Sequence, residues 1–283
     1  MIKTQNFHAV KCSNEYNKLR HVIVCPPKFM KIEEAINETQ KQYLLHNINQ
    51  KLAMKQHKNF VHALQENGAA VHMLPTEKRY NEQVFTRDIG FCLDDTLYIG
   101  NMKSRIRQGE ESILKNWLDS HNISYSEITS GSIEGGDVII AENKIWIGLS
   151  GRTSQEAINE LKTKLPAYEV IPLKLKKRIL HLDCVFNIIS PDTAIIYKQA
   201  FSADAIALIK EHYHLIEVYE QELFSMGPNV LSLEPGKLLS LSQNVQINKR
   251  LRKAGFHIIE VDFSEIIKSG GSFRCCSLPI VRI

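Results

Sequence analysis

Residues able to do chemistry recur along this chain at a common interval. Asp88 stands before an apolar hairpin pattern beginning at Ile89, and Glu134 stands before a second beginning at Gly135. His181 and Asp183 precede or open a third beginning at Cys184, and Cys275 falls inside a fifth. Taken singly, each has an ordinary structural role. Aspartates cap turns, a histidine can sit satisfied in a core, and Glu134-Gly135-Gly136-Asp137 can be a tight turn. Their shared phase in a repeat argues against coincidence, because equivalent positions of like units arranged in a ring point at one axis. A cysteine with a histidine is a nucleophile with a proton shuttle. Carboxylates beside that pair would repel a developing oxyanion. They suit a planar cation such as a guanidinium, whose N–H fork a carboxylate accepts bidentately.

The segment from Gly270 to Ile283 supplies the thiol. Two glycines lead to Cys275 and Cys276, and the second cysteine opens an apolar run. On a strand, alternate side chains face opposite ways, so Cys276, Leu278 and Ile280 share one face while Cys275 and Ser277 share the other. The pattern predicts Cys276 in the core and Cys275 in a polar site. Several carboxylates around Cys275 would oppose its ionisation, and a bound cation would offset them.

The elements that must position these groups are short hairpins starting about 45 residues apart, within the range of repeated supersecondary units. They begin at Ile89, Gly135, Cys184, Gly227 and Gly271. Turn residues mark the first four tips: Asp94-Asp95, Glu142-Asn143, Pro191-Asp192 and Glu234-Pro235-Gly236. Helical spacing follows over 108–121, 154–164, 203–212 and 244–254, and single strands over 123–128, 168–172, 215–219 and 256–261. The first unit is split, with an early strand over 21–25, a long helical stretch over 32–67 and a strand over 71–74. The terminal hairpin has no helix after it, so the N-terminal unit can complete it and close a ring. Tyr43, Leu44, Leu45, Ile48 and Leu52 read as core cover. A doubly wound sheet fits hairpin pairs poorly, since it needs parallel strands separated by helices.

Composition sets the frame. The chain has 283 residues, 43% hydrophobic and 23% charged, with a net charge of +4. Those are the proportions of a globular protein, and the charge is too small to argue for nucleic acid. Lys174, Lys176, Lys177 and Arg178 form the one basic run and read as a solvated strand end. No stretch is long and apolar enough to span a membrane, and no leader pattern opens the chain. Six cysteines without C-x-x-C spacing read as reduced thiols, which points to a cytoplasmic enzyme. His181, Asp183 and Cys184 come nearest to a metal set, yet they lack a second ligand pair, so no metal or cofactor is expected.

Several segments together resemble the guanidine-modifying, or pentein, superfamily, from about Phe85 to the C-terminus. It contains dimethylarginine dimethylaminohydrolases, arginine deiminases and amidinotransferases. FTRD at Phe85–Asp88 and IEGGDV at Ile133–Val138 look like its guanidinium-binding segments. HLDCVF at His181–Phe186 looks like its acid/base segment, and GGSFRCCSLPI like its nucleophile segment. RQGE at Arg107–Glu110 and GLSGRTS at Gly148–Ser154 match as well. The length is close to that of the dimethylaminohydrolases, while Asp183 and the Arg-Cys pair of the nucleophile loop look more like arginine deiminases.

The resemblance implies an α/β fold, a five-bladed propeller in a single domain over 1–283. It implies Cys275 as nucleophile, His181 as acid and base, and Glu134, Asp88 and Asp183 around the guanidinium. Phe85 would line the substrate, and Arg107 and Arg152 would hold its α-carboxylate. The expected reaction is hydrolysis of arginine or a methylated arginine. Transfer of the amidino group to an acceptor amine and a non-catalytic binding protein of the same fold are the alternatives. The expected partner is a small guanidino compound, with no nucleic acid and no membrane. Homo-oligomerisation is left open.

Overall fold

A computed structural model describes residues 9–283, so the first eight residues of the expected domain lie outside the described part. Strand β1 (Leu19–Val24) is followed by helices α1 (Glu38–Tyr43) and α2 (Gln50–Glu66) and by β2 (Ala70–Met73). Next come β3 (Gly90–Leu93), β4 (Thr96–Ile99), α3 (Glu110–Ser120) and β5 (Tyr125–Glu127). The third group is β6 (Val138–Ala141), β7 (Lys144–Leu149), α4 (Gln155–Lys164) and β8 (Glu169–Lys174). The fourth is β9 (Phe186–Ile188), β10 (Thr193–Ile196), α5 (Ala203–His212) and β11 (His214–Glu217). A short α6 (Glu220–Leu223) precedes β12 (Leu231–Glu234), β13 (Lys237–Leu241), α7 (Val245–Lys253) and β14 (His257–Val261). Strand β15 (Leu278–Arg282) comes last.

These strands form five three-stranded sheets of one design. Two antiparallel strands make a hairpin, a helix crosses over, and the third strand pairs parallel with the second, as in β6–β7–β8. Turn chemistry closes the hairpins as expected: Asp94 and Glu142 adopt left-handed backbone, as does Gly236 in the tip before β13. The fifth sheet draws on distant parts of the chain. β15 pairs antiparallel with β1, and β1 pairs parallel with β2.

Three expectations need correction. The terminal segment is not a hairpin, because its partner strand is β1 rather than a neighbour in sequence. Both cysteines lie in turns ahead of β15, which starts at Leu278, so strand alternation does not govern their directions. The long helical stretch is two helices. Asn37 and Asn49 each cap a new helix with their side-chain oxygen, and the link between the two helices is irregular. Leu45 falls on that link and is 93% exposed, and Leu44 is exposed as well, so neither covers the core.

Helix α2 packs against the segment that carries Cys275. Ala53, Phe60 and Leu64 share its buried face, at the spacing of one helix side. The Phe60 ring lies 5.4 Å from that of Phe263 and 5.5 Å from that of Phe273, two residues before Cys275. Phe263 and Phe273 stack at 4.6 Å. Aromatic packing of this kind pins the loop by contact as well as burial.

Candidate active site

The loops before the hairpins converge. Phe85, Asp88, Arg107, Arg152, His181 and Cys275 line one narrow cleft, with Gly270 and Gly271 in its wall. Backbone bonds tie the contributing loops together: the Arg87 N–H donates to the Cys275 carbonyl at 3.0 Å and the Gly135 N–H to the Asp88 carbonyl at 2.9 Å. A cavity of about 250 Å3 adjoins the cleft and shares Asn37, Leu180 and Gly270 with it.

His181 bridges two carboxylates. Its Nε2 is 2.7 Å from Glu134 Oε2, and its Nδ1 is 3.6 Å from Asp88 Oδ1. Burial alone would push the imidazole down, but Asp88, Glu134 and the nearby Asp137 outweigh it and hold its pKa up at about 10. Burial would raise Glu134, yet His181 and Arg152 bring it down to about 2. The pair is therefore an imidazolium against a carboxylate. Glu134 is fully buried behind the ring and outside the cleft wall. It also accepts from the Lys103 N–H at 3.1 Å.

Asp88 presents one oxygen to protein and one to the cleft. Oδ2 accepts from Arg107 Nη1 at 2.5 Å, while Oδ1 is buried with no hydrogen-bond partner among the described residues. An acceptor left in that state is a place for a ligand N–H. Asp183 stands behind the thiol. Its Oδ2 accepts from Arg274 Nη1 at 2.7 Å, and the Cys275 Sγ lies 3.4 Å from Oδ2 and 3.6 Å from Oδ1. Burial, a hydrogen bond with Cys184 and the Asp183 charge all push the Cys275 thiol well up. Cys276 is fully buried and does not line the cleft, although both cysteines border the apolar cluster of Phe60, Phe263 and Phe273.

The two arginines are differently committed. Arg107 is clamped by Glu110, at 2.8 Å from Nη2, by Asp88 and by the Phe85 carbonyl. Arg152 makes longer bonds, at 3.3 and 3.4 Å to Glu134 and 3.1 Å to the Ile36 carbonyl. Ligand atoms of Asp88, Glu134 and His181, and those of His181, Asp183 and Cys184, come within 4.8 Å of one another. Both sets centre on the His181 just described.

Residues outside the sequence reading also build the site. Glu82 lines the cleft and accepts from Gln40 Nε2 at 2.8 Å and Ser269 Oγ at 3.0 Å; burial raises its carboxyl to about 7, against the Arg107 charge. Asn229 contacts Cys275 directly, with Nδ2 3.0 Å from Sγ. The sequence marks its place, two residues ahead of β12 and in phase with the other loops, but an amide does not titrate, so its residue type carries no signal. The basic run ends as a surface feature: Arg178 lies 3.4 Å from Glu220 and donates to the Tyr197 hydroxyl at 2.8 Å.

This fold and this group of side chains define a class, the pentein superfamily of guanidine-modifying proteins. The family model for N,N dimethylarginine dimethylhydrolase, eukaryotic, matches residues 26–282, and the chain belongs to that family. It is 48% identical over 275 residues to the uncharacterized protein YkgA of Bacillus subtilis (strain 168), covering 97% of this chain and 96% of YkgA. It is 27% identical over 267 residues to the N(G),N(G)-dimethylarginine dimethylaminohydrolase of Mycobacterium tuberculosis, covering 93% and 86% of the two chains. The substrate-bound N-terminal domain of ArgZ, a cyanobacterial arginine dihydrolase, superposes with a TM-score of 0.85 at 22% identity, over 93% of this chain and 98% of that one.

Proposed function

We propose that this chain hydrolyses a C–N bond of the guanidino group of arginine or a methylated arginine, giving citrulline with ammonia or an amine. The observation that carries this reading is one cleft holding Cys275, a doubly carboxylate-flanked His181 and an Asp88 Oδ1 that faces His181 at 3.6 Å and accepts no hydrogen bond from the described residues. The names of the Mycobacterium tuberculosis relative and of ArgZ support the substrate class.

The guanidinium enters flat, with an N–H on Asp88 Oδ1 and others toward Asp183. With the cation bound, the Cys275 thiol releases its proton to solvent, and the thiolate attacks the guanidinium carbon, forming an S–C bond and a tetrahedral adduct while a C–N π bond becomes a nitrogen lone pair. His181, protonated at neutral pH, gives its proton to the departing nitrogen as the C–N bond breaks. The remaining cationic thiouronium stays between the carboxylates. Water then adds to the same carbon while the neutral imidazole takes one of its protons; collapse breaks the C–S bond to expel the thiolate, and the remaining O–H proton passes to the released amine or solvent, leaving the neutral ureido product. Glu134 keeps the imidazole oriented and charged between steps. Arg152, with the looser bonds, takes the substrate α-carboxylate, and Arg107 assists while setting Asp88. Phe85 walls the methylene chain.

The five sheets are read as a closed propeller in one domain over 1–283, supported by the pairing of β15 with β1. Six unpaired, buried cysteines favour action in the reducing cytoplasm. Among the described residues no helix is long and apolar enough to cross a membrane. The test is a ureido-group colour assay on purified protein with arginine, methylated arginines and agmatine. Product from arginine or a methylated arginine, and far less from agmatine, which lacks the α-carboxylate, is the expected result. No ureido product from any of them overturns the proposal, and added glycine then separates a transferase from a binding protein.

A further inference from the structure

Four of the five sheets deliver a reactive group to the site: Asp88, Glu134, the His181–Asp183 pair and Cys275. The remaining one, led by β12, delivers Asn229 at the same phase, roughly 47 residues from its neighbours in the series. We propose that Asn229 is a catalytic residue of the reaction proposed above: its amide holds the nucleophile loop and donates a hydrogen bond to the Cys275 thiolate.

The amide orientation is determined by its partners. Oδ1 accepts from the backbone N–H groups of Ser272 and Cys275, both at 3.1 Å. Nδ2 must therefore face the other way, where it donates to the Asp183 carbonyl at 3.1 Å and to Cys275 Sγ at 3.0 Å. Asn229 is 1% exposed, so water does not compete for these bonds.

Sγ consequently sits between an acceptor and a donor. As a thiol it donates to Asp183, at 3.4 Å. As a thiolate it loses that bond, meets repulsion from Asp183 and Asp88, and keeps the N–H of Asn229. A hydrogen bond to the charged form favours that form. The other charged or titratable groups near Sγ are Cys184, Arg274, whose guanidinium is bound to Asp183, and His181, which lines the same cleft. Asn229 is the neutral donor among them. It can stabilise the thiolate without attracting the carboxylates or repelling a cationic substrate, which a lysine or arginine there would do. The same contact holds Sγ in position as its proton leaves, which keeps the attack geometry constant.

Two variants separate the duties. Asn229→Asp retains an oxygen for the two loop N–H groups but offers no N–H to sulfur. Asn229→Ser is neutral and removes the amide. The readout is the pH midpoint of Cys275 alkylation by iodoacetamide in the ligand-free protein, with Cys276→Ala as background to remove the second thiol of the pair. This measurement needs no substrate, so it stands whether or not the hydrolase reading does. The midpoint should rise by about one unit or more in both variants. With the substrate identified, kcat should fall ~100-fold, the scale for losing one transition-state donor, and KM should change little. An unmoved midpoint in Asn229→Ser overturns the proposal, even if activity falls. So does a shift seen with the added charge of Asn229→Asp alone.

Discussion

Cys275 and Cys276 are neighbours in sequence with opposite surroundings. One lines the cleft and has Asp183 and Asn229 at its sulfur, and the other is fully buried and does not line the cleft. Cys275→Ser should abolish turnover while leaving the melting temperature close to wild type. Cys276→Ser should retain turnover but lose about 1–3 kcal/mol of stability in denaturant titration, the cost of an unpaired hydroxyl in an apolar site. A dead Cys276→Ser enzyme with normal stability would reverse the assignment. The thiol carries a second prediction. Its pKa is held well up in the empty protein by burial, Cys184 and Asp183, so a bound cation should bring it down. An inert guanidinium ligand that leaves Sγ accessible should shift the alkylation midpoint to lower pH, and no shift would count against substrate-assisted activation. The residue types of the site were legible because nucleophile, imidazole and carboxylates announce their chemistry. Asn229 was not, since its importance lies in two backbone contacts and one S-contact that no residue type reveals.

At the scale of the element, the hairpins were the clear signal. Runs such as VIIA and KIWIGL, with turn residues between them, specify paired strands whatever the tertiary context. The segment over 32–67 misled because its apolar residues carry helical spacing while two capping asparagines interrupt it. The last strand misled because its partner is far away in sequence, and pairing of that kind leaves no local pattern. The Gly135-Gly136 turn shows how finely an element can be read. A Cβ on Gly135 would come 2.2 Å from the Arg87 carbonyl and 2.4 Å from that of Gly90, both backbone. A Cβ on Gly136 would come 2.6 Å from Asp88 Oδ1 and 2.9 Å from His181 Nδ1, both side-chain atoms of the site. Gly135→Ala should therefore impair folding. Gly136→Ala should fold, judged by its circular dichroism, and lose at least ~100-fold in kcat because acid and carboxylate are wedged apart.

For the molecule as a whole, the concentration of buried carboxyls at the centre has a stability consequence. Burial raises Glu82 and Asp137 to about 7, well above their values in an unfolded chain. The folded state then binds those protons more tightly than the unfolded one. Their contribution is most favourable below about pH 4, where both states are protonated. It declines as pH rises through 7, where the folded carboxyls must ionise in place. Urea midpoints should fall between pH 5 and pH 8, and Glu82→Gln should lessen that fall. An equal fall in the variant would place the effect elsewhere.

The pairing of β15 with β1 also bears on how the protein folds. Leu19 faces Arg282 and Ile23 faces Leu278, so the two strands of this pair are separated in sequence by the four other sheets. The intervening sheets β3–β5, β6–β8, β9–β11 and β12–β14 are each built from nearby segments and can form as they emerge. The thiol arrives just ahead of β15, and the strand that seats its loop arrives with it. Refolding can therefore assemble the sheets that carry Asp88, Glu134 and His181 before the pairing of β15 with β1 seats the Cys275 loop. That long-range step should be the slow one in refolding, and recovery of alkylation-sensitive activity should lag behind recovery of secondary structure.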